Sequence, residues 1–298
     1  MHGRSPLGRH ARRAWAGEVS WLESCRVLVL VTPQAVVSHH TAALLHGLRI
    51  PRRFERLPAF HLSRPVGLQR PRRRHVIGHE LLLDAEDVVD VAGVPATSVQ
   101  RTLLDIAPDL GVDELVALAD QIVCAHNYSF GRTVLPLVEI GHLRSYLARH
   151  AGARGMRKLQ QAVALVRVGS DSTPETRLRL LLGRSPLPEF HCNHEIRDGA
   201  GTGRLGPDLA CPEFRTCVEY DGGHHLTAEQ QGRDHDRNFV TRSLGWQQAI
   251  INKHDMAGDG TPAITKIARM LVLGGWDDPL DLAGRSLLGR LGTRKDFA

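Results

Sequence analysis

The stretch RLGPDLACPEFRTCVEYDGGHH, residues 204–225, constrains this chain more than any other. Two short apolar runs flank Cys211–Arg215 and read as a β-hairpin. The second run, TCVEY, stops abruptly in acids and glycines. Upstream, ETRLRLLLGRS places Leu178, Leu181 and Leu182 on one helical face, with Pro174 at its start and Asp171, Ser172 or Thr173 as cap. The run HCNHEI reads as a strand and RDGAGTG as a turn. Downstream come a helix (TAEQQGRDHDRNFVTRSLG), a strand opening at Trp246 (WQQAII) and a closing helix (ITKIARMLVL). The order helix–strand–strand–strand–helix–strand–helix predicts an α/β (α+β) class, with a mixed sheet flanked by helices.

At 298 residues the chain exceeds one ordinary core, and two domains are expected. The expected divisions are a basic, irregular tail over 1–30, a mainly helical α+β domain over 31–166, a second domain over 170–275 and a tail over 276–298. Hydrophobic residues make up 42% and charged residues 23%, which excludes a disordered chain. Aromatics at 5% require aliphatic cores. The five cysteines show no CxxC spacing, which argues against a zinc ribbon or disulfide framework and for a reducing compartment. The longest apolar run, Val27 to Val31, is too short for a membrane span, and the first residues lack a signal-peptide core. A cytoplasmic location without membrane partners is the resulting expectation.

The net charge of +6 is unevenly placed: residues 1–80 carry fourteen Arg against four Glu, leaving the remainder at −4. Either the basic third meets an anionic partner, or Arg has simply replaced Lys throughout. Arg70, Arg72, Arg73 and Arg74 with His75 form its densest cluster, read as a solvated loop or as phosphate contacts. The segment AVVSHHTAALLHGL reads as a helix capped by Ser38 and stopped by Gly47. The next legible segment is FERLPAFHLSRP, which is strand-like. VVDVAGVPATS reads as strand, turn at Gly93 and strand, with Thr97 or Ser98 capping a helix whose stripe is Leu103, Leu104, Ile106 and Ala107. VDELVALADQIV is a further helix, and residues 137–166 are helical with a break at GARGMRK.

Chemistry concentrates at Asp208, Glu219, Asp221 and His225. Carboxylates on paired strands can share a divalent cation, and Mg²⁺ (or Mn²⁺) favours such hard oxygen donors. Asp221 lies two residues beyond Glu219, on the same strand face. His225 is a candidate for proton transfer near neutral pH, as is Lys253 if it swings in from the following strand. Asp234 and Arg237, at i and i+3, form either a local ion pair or a phosphate contact. His191, His194, His235 and His254 show no metal-ligand spacing, and Trp246 reads as a core anchor.

Two resemblances follow from these residues. Ser38–Leu48, S-x-x-TAAxLHGL, with GVPATSVQRTLLDIA at Gly93–Ala107, resembles the AbiEi-type antitoxin and transcriptional-regulator domain over about residues 30–125. It implies a regulatory role, with DNA or a cognate toxin protein as partner. GPDLA around Asp208, V-E-Y-D-G-x-x-H at Val218–His225, Asp234-x-x-Arg237 and Gly245–Trp246 resemble the PD-(D/E)XK superfamily, in the branch allied to very-short-patch-repair endonucleases. That resemblance implies a restriction-endonuclease-like sheet and metal-dependent hydrolysis of DNA phosphodiester bonds. Asp208 and Glu219 would be metal ligands and Glu175 an accessory acid, while Arg237, Arg72, Arg73 and Arg74 would contact nucleic acid. The superfamily lysine would stand at position 221, where this chain has Asp. The alternative is a DNA-binding or antitoxin-like regulator without catalysis.

Overall fold

The computed structural model describes residues 21–55, 59–125, 134–170, 172–198, 201, 203–222 and 238–284. The chain has mixed α/β architecture and divides into two compact units. The first comprises Met1–Cys124 with Leu135–Arg167, and the second Ala125–Val134 with Val168–Ala298. Among the described residues no helix is long and apolar enough to cross a membrane.

In the first unit the strands are β1 (Val36–Val37), β2 (Phe60–Pro65), β3 (Val76–Leu81), β4 (Val88–Val91) and β5 (Val94–Thr97). They form one sheet in the order β3-β2-β1-β5-β4. β2 runs parallel to β3 and β1 parallel to β5, while the β1–β2 and β4–β5 pairs are antiparallel. The helices are α1 (Trp21–Leu30), α2 (His39–Leu45), α3 (Arg52–Glu55), α4 (Val99–Ile106), α5 (Val112–Val123), α6 (Ile140–Arg149) and α7 (Met156–Leu165). The β4–β5 hairpin turns on Ala92 and Gly93, both with positive φ (55° and 80°), a two-residue geometry that suits the right-handed twist of paired strands. Ser98 then caps α4, its Oγ accepting from the Arg101 backbone N–H. Leu103, Leu104, Ile106 and Ala107 are all buried, as the apolar stripe predicts.

One expectation for this unit needs correction and one needs sharpening. The irregular tail does not extend to residue 30, because α1 begins at Trp21 and its Cys25 is fully buried in a cluster with Val37, Leu62 and Ala96. The helix expected in AVVSHHTAALLHGL starts at His39 with Ser38 at its N-cap position, as read, and the residues before the cap are strand, since Val36 and Val37 pair with Ser63 and Leu62 of β2. Their β-branched side chains suit a pleated strand better than a helical turn.

The second unit opens with α8 (Thr173–Gly183), capped by Ser172, whose Oγ accepts from the Glu175 N–H. β6 (Ile196–Arg197) and β7 (Gly203–Leu205) form a two-stranded ladder. β8 (Leu209–Cys211), β9 (Thr216–Asp221) and β10 (Gln247–Asn252) form a sheet in the order β10-β9-β8. The β8–β9 pair is the expected hairpin, turned at residues 212–215, with Arg215 left-handed at φ 41°. β9 and β10 are parallel, which demands a long crossover, and residues 238–243 at its end are helical. α9 (Thr261–Leu273) closes the unit.

Period-two alternation sorts this sheet into two faces. Leu209, Cys211, Val218, Ala249 and Ile251 pack with Leu178 and Leu182 of α8 and with Ile264, Ile267 and Leu271 of α9. Ala210 and Cys217 belong to a separate cluster with Ile196, Leu205 and Trp246, so Trp246 is a core anchor. The expected strands are shorter than read. HCNHEI pairs only through an isolated His191–Ala210 bridge and β6, and RLGPDLA is split at Gly206–Pro207 into β7 and β8. Pro207 has no N–H to give to a ladder.

Candidate functional site

The strand register determines where the acids of the second unit fall. Leu209 pairs with Val218 across the antiparallel ladder, so one further step brings Asp208 opposite Glu219. Asp208 is half-buried, and its Oδ2 accepts a hydrogen bond from the Tyr220 backbone N–H at 2.7 Å. The Asp208 carboxylate is therefore anchored to β9 beside Glu219. Glu219 and Asp221 alternate on β9 and share a face, and their β10 partners in register are Ile250 and Asn252. Ile250 is 48% exposed, so this end of the face lacks the helical cover of the opposite one. Lys253 follows directly on β10 and is exposed.

Other predicted site residues have different surroundings. Glu175 stands on the first turn of α8, where its Oε1 accepts from the Ser172 hydroxyl at 2.6 Å, reciprocating the cap. His225 and Arg237, with His224 and Asp234, lie outside the described residues. Arg72 and Arg74 are exposed in the loop before β3. Arg73 is engaged within the fold: its Nε donates to Thr32 Oγ1 at 3.1 Å and its Nη2 to the Val31 carbonyl.

In the first unit, polar groups gather inside. Arg101 is 7% exposed, donating from Nη1 to Asp87 Oδ2 (3.2 Å) and to the Leu82 carbonyl (2.7 Å), and from Nε to Asp105 Oδ1 (2.9 Å). Tyr146 OH completes the network by donating to Asp87 Oδ1 at 2.5 Å. Burial, opposed by Arg101, raises the Asp105 carboxyl to about 6. The network joins the turn before β4 to α4 and α6.

Sequence reasoning missed a second polar cluster, formed by His39 at the start of α2, His61 on β2 and His79 on β3. His61 pairs in register with Ile77 and Ser63 with His79, so His61 and His79 occupy one sheet face two residues apart. His61 Nδ1 and His79 Nε2 are 2.9 Å apart, and the His39 ring stacks on His79 at 3.7 Å. One ring nitrogen from each lies within 4.8 Å of the others. Among the described residues, the acid and histidine triads meeting that criterion are this one and Asp84–Asp87–His150, and Asp208, Glu219 and Asp221 do not form one.

Burial is the leading cause of low pKa values here, followed by neighbouring imidazoles. His39 falls to about 2 and His61 to about 3, while His79 is also lowered. Near neutral pH all three are uncharged imidazoles. Adjacent His40 contacts Asp109 Oδ2 through Nε2 at 3.0 Å and stacks on Phe54. His46 Nε2 donates to the Thr97 carbonyl at 2.7 Å. The histidines are separated by 22 and 18 positions, so no local motif announces them. The available signal was polar His61 and His79 interrupting apolar strand sequence.

Residues 35–168 match the AbiEi antitoxin C-terminal domain. The AbiEi-like region spans β1–β5 and α2–α7, including both polar clusters of the first unit, and reaches well past the residue-125 limit of the sequence resemblance. The acidic strand face of the second unit lies outside it. No curated protein and no solved structure matches the chain.

Proposed function

We propose that this chain is an antitoxin-type regulatory protein whose AbiEi-like region binds and neutralises a toxin protein. The family match carries this reading, because it covers the whole five-stranded sheet together with α2–α7. The second unit serves as a DNA-binding module, and Arg72 and Arg74 give the first unit exposed cations for phosphate. The setting is cytoplasmic, with the toxin and DNA as partners. Co-expression with candidate toxins encoded beside it, nucleotidyltransferase-like proteins first, tests the role. Restored growth and a co-purifying complex are expected. Unchanged toxicity and no complex with any neighbouring product would overturn the role.

A second reading, a DNA endonuclease of the PD-(D/E)XK type, draws support from one observation: Asp208 and Glu219 are opposite in register, with Asp221 on the same face. Their hard oxygen donors fit Mg²⁺ or Mn²⁺, which when bound would polarise a phosphodiester and acidify a water. Asp208 and Glu219 would hold the ion. Asp221 in place of the superfamily lysine leaves proton transfer to His225 or Lys253, while Glu175 accepts from Ser172, the cap of its helix. Nicking of DNA that requires Mg²⁺ and disappears in Asp208→Ala would establish this activity. Gel shifts of DNA without cleavage in either cation would leave the regulatory reading alone.

A further inference from the structure

We propose that His39, His61 and His79 form a three-imidazole site for a divalent transition-metal ion, with Zn²⁺ the best fit and water as the fourth ligand. Imidazole nitrogen is a preferred ligand for such ions. Three protein ligands with one open position is an established zinc arrangement. Nitrogens bound at about 2.0–2.1 Å in a tetrahedral shell lie about 3.3 Å from one another. The 2.9 Å separation of His61 Nδ1 and His79 Nε2, and the 4.8 Å limit for the whole triad, are within small side-chain rotations of that shell.

Two further features support the site. His39 holds a left-handed backbone conformation, φ 51°, that costs a residue with a Cβ, and its ring stacks on His79. Ser38 Oγ lies 3.0 Å from His39 Nδ1 and accepts from Ser63 Oγ at 2.6 Å, an outer contact of the kind that fixes the orientation of a ligating imidazole. His39 and His79 are half-buried, which leaves a route from solvent, while His61 is buried beneath. A bound ion would tie α2, β2 and the edge strand β3 at one point.

The test uses the full chain stripped with chelator and titrated with Co²⁺, followed by Zn²⁺ competition. Expected are one Co²⁺ per chain with visible bands of a tetrahedral nitrogen/oxygen site, no thiolate charge-transfer band, and displacement by Zn²⁺. His79→Gln should remove the bands. Ser38→Ala should weaken binding about 10-fold, and His254→Gln, at an exposed histidine outside the cluster, should leave it unchanged. Stoichiometric Zn²⁺ should also raise the wild-type Tm where Mg²⁺ does not, a readout that needs no variant. Absence of saturable bands, bands of wild-type affinity in His79→Gln, or no Zn²⁺-dependent rise in Tm would each overturn the site and leave a hydrogen-bonded histidine cluster.

Discussion

The two units differ in where they keep their charged groups. The first draws them inside, holding Arg101 between Asp87 and Asp105 with Tyr146 closing the network, and gathering His39 of α2 against His61 and His79 on a sheet face. The second builds an apolar core around Leu178, Val218, Ile251 and Ile267, buries a single acid, Asp255, against Lys266 among its described residues, and keeps Asp208, Glu219 and Asp221 towards strand ends. Buried polar networks restrict a fold to arrangements in which every partner is met. An apolar core specifies through volume and pattern and leaves its charged rim available for binding. The first unit should therefore fail when one charge is removed or when protons are added, and the second when volume is removed.

The largest expected effect is at Arg101. Arg101→Leu strands two buried carboxylates and should destabilise the first unit by about 3–5 kcal/mol, measured by urea unfolding with hydrogen exchange resolving the units. Equal loss in both units would break the comparison. Next is Ile251→Ala, which opens a cavity beside α9 and should cost the second unit about 2–5 kcal/mol, leaving exchange in β1–β5 unchanged.

Acid should separate the units as well. In metal-free protein the folded-state pKa values of His39 and His61, about 2 and about 3, lie below their ordinary 6.5. The unfolded chain thus binds more protons. The associated stability is complete above pH 6.5 and is lost as pH falls from there towards the folded values, by about 1.4 kcal/mol per pH unit for each proton. Hydrogen exchange from pH 7 to pH 5 should show the first unit loosening before the second. Simultaneous loosening would count against imidazole burial as the cause. The smallest effect is Asp208→Asn, which keeps an oxygen to accept from Tyr220 N–H and should cost about 1 kcal/mol or less, seen as a minor shift in urea midpoint.

Local signals made much of this fold legible. The VVDVAGVPATS hairpin, the Ser98 cap and the twelve residues of α5 follow from turn chemistry and apolar periodicity acting over a few positions. The β8–β9 hairpin was equally plain, and with it the pairing of Asp208 and Glu219. What escaped depends on distant partners. α1 has Arg-rich sequence before it and a valine-rich interior, and burial of Cys25 against the sheet distinguishes it from a tail. Val36 and Val37 become a strand because β2 and β5 flank them. The histidine triad exists only through the parallel β2–β3 register, which no spacing along the chain encodes.

Toxin neutralisation by a variant carrying both Asp208→Ala and Glu219→Ala tests the regulatory account most directly. If the AbiEi-like region does the work, cells producing the cognate toxin should grow with this variant as they do with wild type. Growth arrest with a folded, well-expressed double variant, alongside rescue by wild type, would contradict the account and place the protein's activity in the acidic strand face.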